Sequence, residues 1–224
     1  MIKRVFRPKK ILAGMATLLM ATTAGLAADM PMTDFRPAIH DWSGPYVGVV
    51  AGGGFVDTFY LPSGAPDPEL AGDGYLVGGL AGYNMQFDNV VVGVEGDMSW
   101  GKIKANNTLD QVNFKIPHVA TVRLRAGYAL DRTMIYATGG LGIARGDMYL
   151  PGFSESEKMT HYGYVIGGGI EHALLDSLSI RMEYLYGSFE KKTYNFTAGS
   201  VRMGLDDLHI VRAGLIWNFM PGGF

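Results

Sequence analysis

The sequence predicts an all-β fold: an eight-stranded antiparallel up-and-down transmembrane β-barrel with short periplasmic turns and four long outer loops. Three observations predict it: an export leader, apolar content delivered in strand-length pieces, and connections that alternate between short and long.

The leader comes first. Residues 1–10 carry Lys3, Arg4, Arg7, Lys9 and Lys10 with no acid, and an apolar stretch runs from Ile11 to Ala24. It ends in the small residues Ala24-Gly25-Leu26-Ala27-Ala28. These are the three regions of a secretory signal peptide, here residues 1–27. An anchor helix would be marginal in length, and the small-residue end without flanking charge argues for cleavage. Cleavage removes five of the 19 basic residues and none of the 21 acids, so the mature chain carries about −7. That balance excludes nucleic acid, whose binding needs a basic patch. With no cysteine in the chain, a disulfide framework, a thiolate metal site and a thiol nucleophile are all excluded.

Nearly half of the residues are apolar and 32 are Gly, yet no helix-length apolar run follows the leader. Only helices and closed barrels satisfy every backbone group inside a bilayer, so the short apolar segments point to strands. Residues 28–43 form a Pro-containing lead, expected to be an extended periplasmic segment. The first and second strands, 44–57 and 73–87, combine Gly with aromatic and β-branched residues at period two. The third, 90–103, sets Val92, Val94, Met98 and Trp100 against Glu95, Asp97 and Ser99. The fourth, 117–130, sets Val122, Leu124, Ala126 and Tyr128 against Thr121, Arg123 and Arg125. The fifth and sixth, 133–147 and 161–173, are again Gly-rich and alternating. The seventh, 178–191, opposes Ile180, Met182, Tyr184 and Tyr186 to Ser179, Arg181 and Glu183. The eighth, 207–219, opposes Val211, Ala213, Leu215, Trp217 and Phe219 to Arg212, Gly214 and Asn218. Residues 220–224 extend beyond it.

Short turns fall at Asp88-Asn89, Asp131-Arg132 and Leu174 to Ser177; long polar loops fall at 58–72, 104–116, 148–160 and 192–206. Both termini then lie on the short-turn side, as in an even-stranded outer-membrane barrel. With the first strand running outward, Tyr83, Tyr128, Trp217 and Phe219 lie near the periplasmic ends of the lipid-facing stripes. Trp100, Tyr162, Tyr164, Tyr184 and Tyr186 lie near the outer ends, which makes two aromatic girdles.

A charge on the lipid face costs about 2–4 kcal/mol at mid-membrane, so the strand charges are expected in the lumen. Glu95, Asp97, Glu171 and Glu183 balance Arg123, Arg125, Arg181 and Arg212. An eight-stranded lumen is just wide enough for side chains to fill, so these groups are expected to pair as a plug rather than line an ion path. The histidines His40, His118, His161, His172 and His209 show no metal-ligand spacing. His161 and Tyr162 are expected as an interfacial aromatic pair at the rim of the third long loop, where haem contact is the rarer alternative. Gly52-Gly53-Gly54, Gly139-Gly140 and Gly167-Gly168-Gly169 lack the context of phosphate loops and fit barrel curvature and close lumen packing. No nucleophile elbow is present, so no catalytic residue, cofactor or metal site is expected.

Several motifs carry a resemblance. Asp41-Trp42-Ser43-Gly44-Pro45-Tyr46-Val47-Gly48 resembles the first-strand start of the opacity-type outer-membrane β-barrel family. Ala81-Gly82-Tyr83-Asn84, Val92-Gly93-Val94-Glu95-Gly96-Asp97, Arg123-Leu124-Arg125-Ala126-Gly127-Tyr128, Tyr136-Ala137-Thr138-Gly139-Gly140 and Arg181-Met182-Glu183-Tyr184 follow in order. The chain resembles in particular the alphaproteobacterial porin-like major surface antigens. The resemblance implies the outer membrane of a Gram-negative bacterium and a non-enzymatic part in envelope structure. It also implies partners: outer-membrane lipid and lipopolysaccharide, the barrel assembly machinery, and host or phage at the surface. Some such proteins are associated with haemin. The chain departs from the pattern at Pro45, at Leu80 where a lumen Gln is common, and in continuing past Phe219 to Phe224. Three functions stay open on the sequence: envelope structure with surface display, capture of haemin or a host molecule by the loops, and a narrow pore.

Overall fold

A computed structural model describes residues 40–62, 69–106, 113–150, 155–196, 199–203 and 207–219, all inside the compact unit Pro37–Phe224. The expected signal peptide, the lead up to residue 39 and the extension 220–224 lie outside these residues.

Six long strands follow one another as antiparallel neighbours: β1 (Gly44–Pro62), β2 (Glu69–Phe87), β3 (Val90–Asn106), β4 (Asn113–Leu130), β5 (Thr133–Leu150) and β6 (Glu155–Ala173). β7 (Leu178–Phe189) pairs with β6, and β10 (Leu208–Asn218) pairs with β7. β10 also pairs with β1, from Tyr46↔Asn218 to Val56↔Leu208, which closes the eight-stranded ring and removes its edges. Between β7 and β10 lies a hairpin, β8 (Lys192–Phe196) and β9 (Gly199–Met203). β9 pairs with the far end of β1, Tyr60↔Met203 to Pro62↔Val201.

The strand bounds correct the sequence reading at one end only. On the short-turn side Phe87↔Val90 and Leu130↔Thr133 are joined by two residues each, as expected. Asp88 and Asp131 lead these turns with φ of 54°, a left-handed conformation that Asp tolerates. On the other side β1 to β6 run on through most of the expected loops, β7 stops at Phe189 short of the expected 191, and the expected loop 192–206 contains the hairpin β8–β9. Pairing supplies the reason: the ladder is made by backbone groups, which polar and apolar residues carry alike, so hydropathy marks the apolar band and not the strand end. A transmembrane strand needs about 9–11 residues. β1 to β6 have 17 to 19, well beyond what one span requires. Pro117 sits where the ladder slips between β3 and β4 and again between β4 and β5. It has no N–H to give either neighbour, and the bulges absorb the gap.

Inward positions alternate with outward ones throughout, as in β7, where every second residue from Ser179 to Phe189 is buried. The outward set includes Val49, Val122, Leu124, Leu141, Ile166, Met182 and Leu215, a lipid-facing apolar surface.

Candidate functional site

Of all the residues singled out in the sequence, the eight strand charges are the ones the barrel brings together. Each is almost fully buried in the lumen. Three pairs face each other directly across a ladder: Glu95↔Arg123, Glu171↔Arg181 and Glu183↔Arg212. Arg123–Glu183, Arg125–Glu171, Arg181–Glu95 and Arg212–Asp97 cross the lumen between strands that are not neighbours. Arg123 reaches Glu95 at 2.6 Å, Asp97 at 3.1 Å and Glu183 at 3.1 Å. Arg212 holds Asp97 at 2.8 Å and Glu183 at 2.6 Å. Arg181 holds Glu95 at 2.5 Å and Glu171 at 2.9 Å, and Arg125 holds Glu171 at 3.0 Å. Strands β3, β4, β6, β7 and β10 are thereby tied to one another through the middle of the barrel.

Hydroxyl groups complete the set. Tyr46 donates to Glu95 at 2.8 Å, Tyr136 to Glu183 at 2.9 Å and Ser179 to Glu171 at 2.6 Å, while Thr121 donates to Asp97. The Arg125 guanidinium lies 4.2 Å from the Tyr136 ring centroid. These four hydroxyl residues were not singled out as lumen partners in the sequence, although their strand parity places them inside. The room for such long side chains comes from glycine. Gly52 faces Arg212 and Gly140 faces Arg123 across the ladders. A Cβ on either glycine would lie 2.1 Å from a backbone carbonyl oxygen, that of Val211 or Val122 respectively.

Both ends of this belt are closed. Toward the outside Val56, Leu76, Ile103, Ile116, Val119, Val165, Leu185, Phe189, Leu208 and Ile210 form one buried apolar cluster. A cavity of about 10 Å³ lies between belt and cluster, bounded by Asp97, Thr121, Leu185 and Phe189, room for about one water. Beside the belt Leu80 packs with Tyr46, Val50 and Ile216, which accounts for an apolar residue there in place of Gln. At the short-turn end the described end of the lead, residues 40–43, lies in the mouth of the barrel, with Trp42 buried. Trp42 is buried among Val91, Ala129, Met134, Tyr136 and Ala173, and its backbone N–H donates to Gln86 Oε1 at 2.7 Å. His40 stacks edge-on against Trp42 at 4.7 Å, and burial followed by the Arg132 charge lowers its pKa.

Tyr83, Trp100, Tyr128, Tyr162, Tyr164, Tyr184, Trp217 and Phe219 are exposed on the outward face. Tyr186, also outward, is half-buried because its hydroxyl donates to Asp207 at 2.6 Å and its ring packs on His209. His161 corrects the sequence reading. It shares the inward parity of Val165, is fully buried, and its Nδ1 lies 2.9 Å from the Glu190 carbonyl oxygen, while Tyr162 points outward. Adjacent residues of a strand take opposite faces, so the two cannot form one interfacial pair. Among the described residues no cluster of His, Asp and Glu has a geometry that could hold a metal ion.

Comparison with known proteins agrees with this architecture. Residues 15–219 match the family described as outer membrane protein beta-barrel domain. The 31 kDa outer-membrane immunogenic protein of Brucella melitensis is 31% identical over 93% of this chain and 98% of its own. The 25 kDa outer-membrane immunogenic protein of Brucella canis is 32% identical over 80% of each chain. Among solved structures, the outer membrane protein OprG of Pseudomonas aeruginosa superposes with a TM-score of 0.52 at 14% identity, covering 79% of this chain and 97% of that one.

Proposed function

The chain belongs to the outer membrane protein β-barrel family and resides in the outer membrane of a Gram-negative bacterium; on that premise we propose that it is a non-enzymatic, non-conducting barrel that supports the envelope and displays its outer wall and loops at the cell surface. One observation carries the proposal. The lumen is occupied by the chain's own side chains from the Trp42 floor, through the ion-pair belt, to the Phe189 cluster. A filled lumen gives a solute no path, and the ion pairs across it act as struts between strands far apart in sequence. The overshoot of β1 to β6, continued by β8–β9 on β1, supports the display part of the reading. Its Brucella relatives are named as immunogens, which fits a surface the host meets.

The test is a strain lacking the gene. It is expected to become sensitive to detergent and chelator, with resistance restored by the plasmid-borne chain and also by a form lacking loop residues 151–154. Unchanged sensitivity in the deletion strain contradicts the envelope role, and failure of the loop-deleted form to restore resistance assigns the role to that loop.

A further inference from the structure

The outward wall of β3 to β6 changes character abruptly above the outer girdle. Trp100, Ile143 and Tyr162 are exposed apolar positions on neighbouring strands. Immediately beyond them the outward positions turn basic: Lys102 and Lys104 on β3, Lys115 on β4, Arg145 on β5 and Lys158 on β6, all exposed. Lys104 and Lys115 are directly opposite each other in the ladder. Like charges in that relation destabilise a sheet, and no carboxylate among the described residues comes within ion-pair distance of Lys102, Lys104, Lys115 or Lys158. Two acids share the surface: Asp147 stands opposite Lys115 and Lys158 in its two ladders and lies 3.6 Å from Arg145, and Asp73 stands opposite Lys104 without an ion pair among the described residues. The outer rim across the barrel is balanced instead, with Lys192 3.4 Å from Glu190. In a mature chain of about −7, five cations set against two carboxylates on one wall, with Lys104 directly opposite Lys115, point to an anion from outside the chain.

We propose that this wall is a binding site for the phosphate groups of a phosphorylated lipid of the outer leaflet, with Lys104 and Lys115 bridging one phosphate and Arg145 and Lys102 flanking it. The position selects a lipid over a soluble polyanion. The cations are on the lateral wall, continuous with the lipid-facing aromatics, where acyl chains can lie on Trp100 and Tyr162 while the headgroup meets the lysines. The proposal rests on the orientation with the long connections outside.

Diphosphoryl lipid A, titrated into the refolded full-length protein, is the probe, with phosphatidylcholine and a heparin oligosaccharide as comparisons. Wild type is expected to bind diphosphoryl lipid A more tightly than phosphatidylcholine, and Lys104→Gln/Lys115→Gln to lose about fivefold in affinity per charge removed. Lys191→Gln/Lys192→Gln is expected to bind as wild type. Equal binding by wild type and the Lys104/Lys115 variant overturns the proposal. So does a variant that loses heparin while keeping lipid A. Both substituted residues are exposed, and heat-modifiable gel migration reports whether each variant is folded; a singly substituted Lys115→Gln is read in the same way if the pair fails to fold. Orientation is checked separately with Lys191→Cys in this cysteine-free chain. Labelling by an impermeant maleimide on intact cells supports the outward orientation, and absence of labelling places the patch at the wrong leaflet and overturns the site independently of the lipid result.

Discussion

Below Thr121 the inward positions carry guanidinium, carboxylate and phenol groups in a closed network; above it they carry Leu, Ile, Val and Phe in a cluster with no charge. The same ladder and the same glycine-spaced alternation hold both fillings. They differ in how they tolerate change. The belt is directional: each carboxylate oxygen is matched to a particular donor, and removing one partner strands charges that cannot reach water. The apolar cluster is additive, losing contact area in proportion to what is cut. A lumen built in two chemistries therefore combines a register lock with a water-tight seal.

Arg123→Ala tests the contrast with the largest expected effect. It leaves Glu95, Asp97 and Glu183 each short of one cation, and a loss of about 3–5 kcal/mol is expected as a lower midpoint in urea unfolding of the refolded barrel. An unchanged midpoint would show that the belt does not hold the strands. Leu185→Ala, in the seal, is expected to cost about 2–5 kcal/mol, and Ile210→Ala to lower the midpoint further by a cost of its own. Gly140→Ala probes the spacing beneath Arg123. Its Cβ would meet the Val122 carbonyl oxygen, so about 1–3 kcal/mol is expected from the forced backbone shift.

The smallest effect belongs to the periplasmic floor. Burial against Trp42, with the Arg132 charge second, holds the His40 pKa below its ordinary value of about 6.5. Between the folded and ordinary values the unfolded chain binds more protons, so stability rises with pH there. The His40 contribution is complete above about pH 6.5 and is lost as pH falls toward the folded value. Acidification from pH 7.5 to 5.5 is expected to lower the urea midpoint slightly, and His40→Phe to flatten that part of the profile.

Much of this was legible in the sequence because a barrel strand has period two and lipid punishes a misplaced charge. Arg123, Arg125, Arg181 and Arg212 had one face available to them, and Asp88 and Asp131 sat in connections too short for anything but a turn. The apolar seal was not legible. Leu185 and Ile210 are apolar on the lumen face of strands whose lipid face is apolar too, so hydropathy cannot tell the two sides apart above the belt. The floor role of Trp42 has no local sequence signal, because its contacts are with Val91, Ala129 and Ala173, distant in sequence and joined only when the ring closes. The hairpin β8–β9 was hidden for a different reason: it forms in water, where a polar strand and a polar loop read alike.

Two successive plugs fill the lumen, and single-channel recording of the refolded protein in a planar bilayer tests that most directly. A flat trace is predicted for the wild type and for Phe189→Gly alone, since the belt still closes the barrel beneath the opened seal. Reproducible unitary openings in the wild type would contradict it.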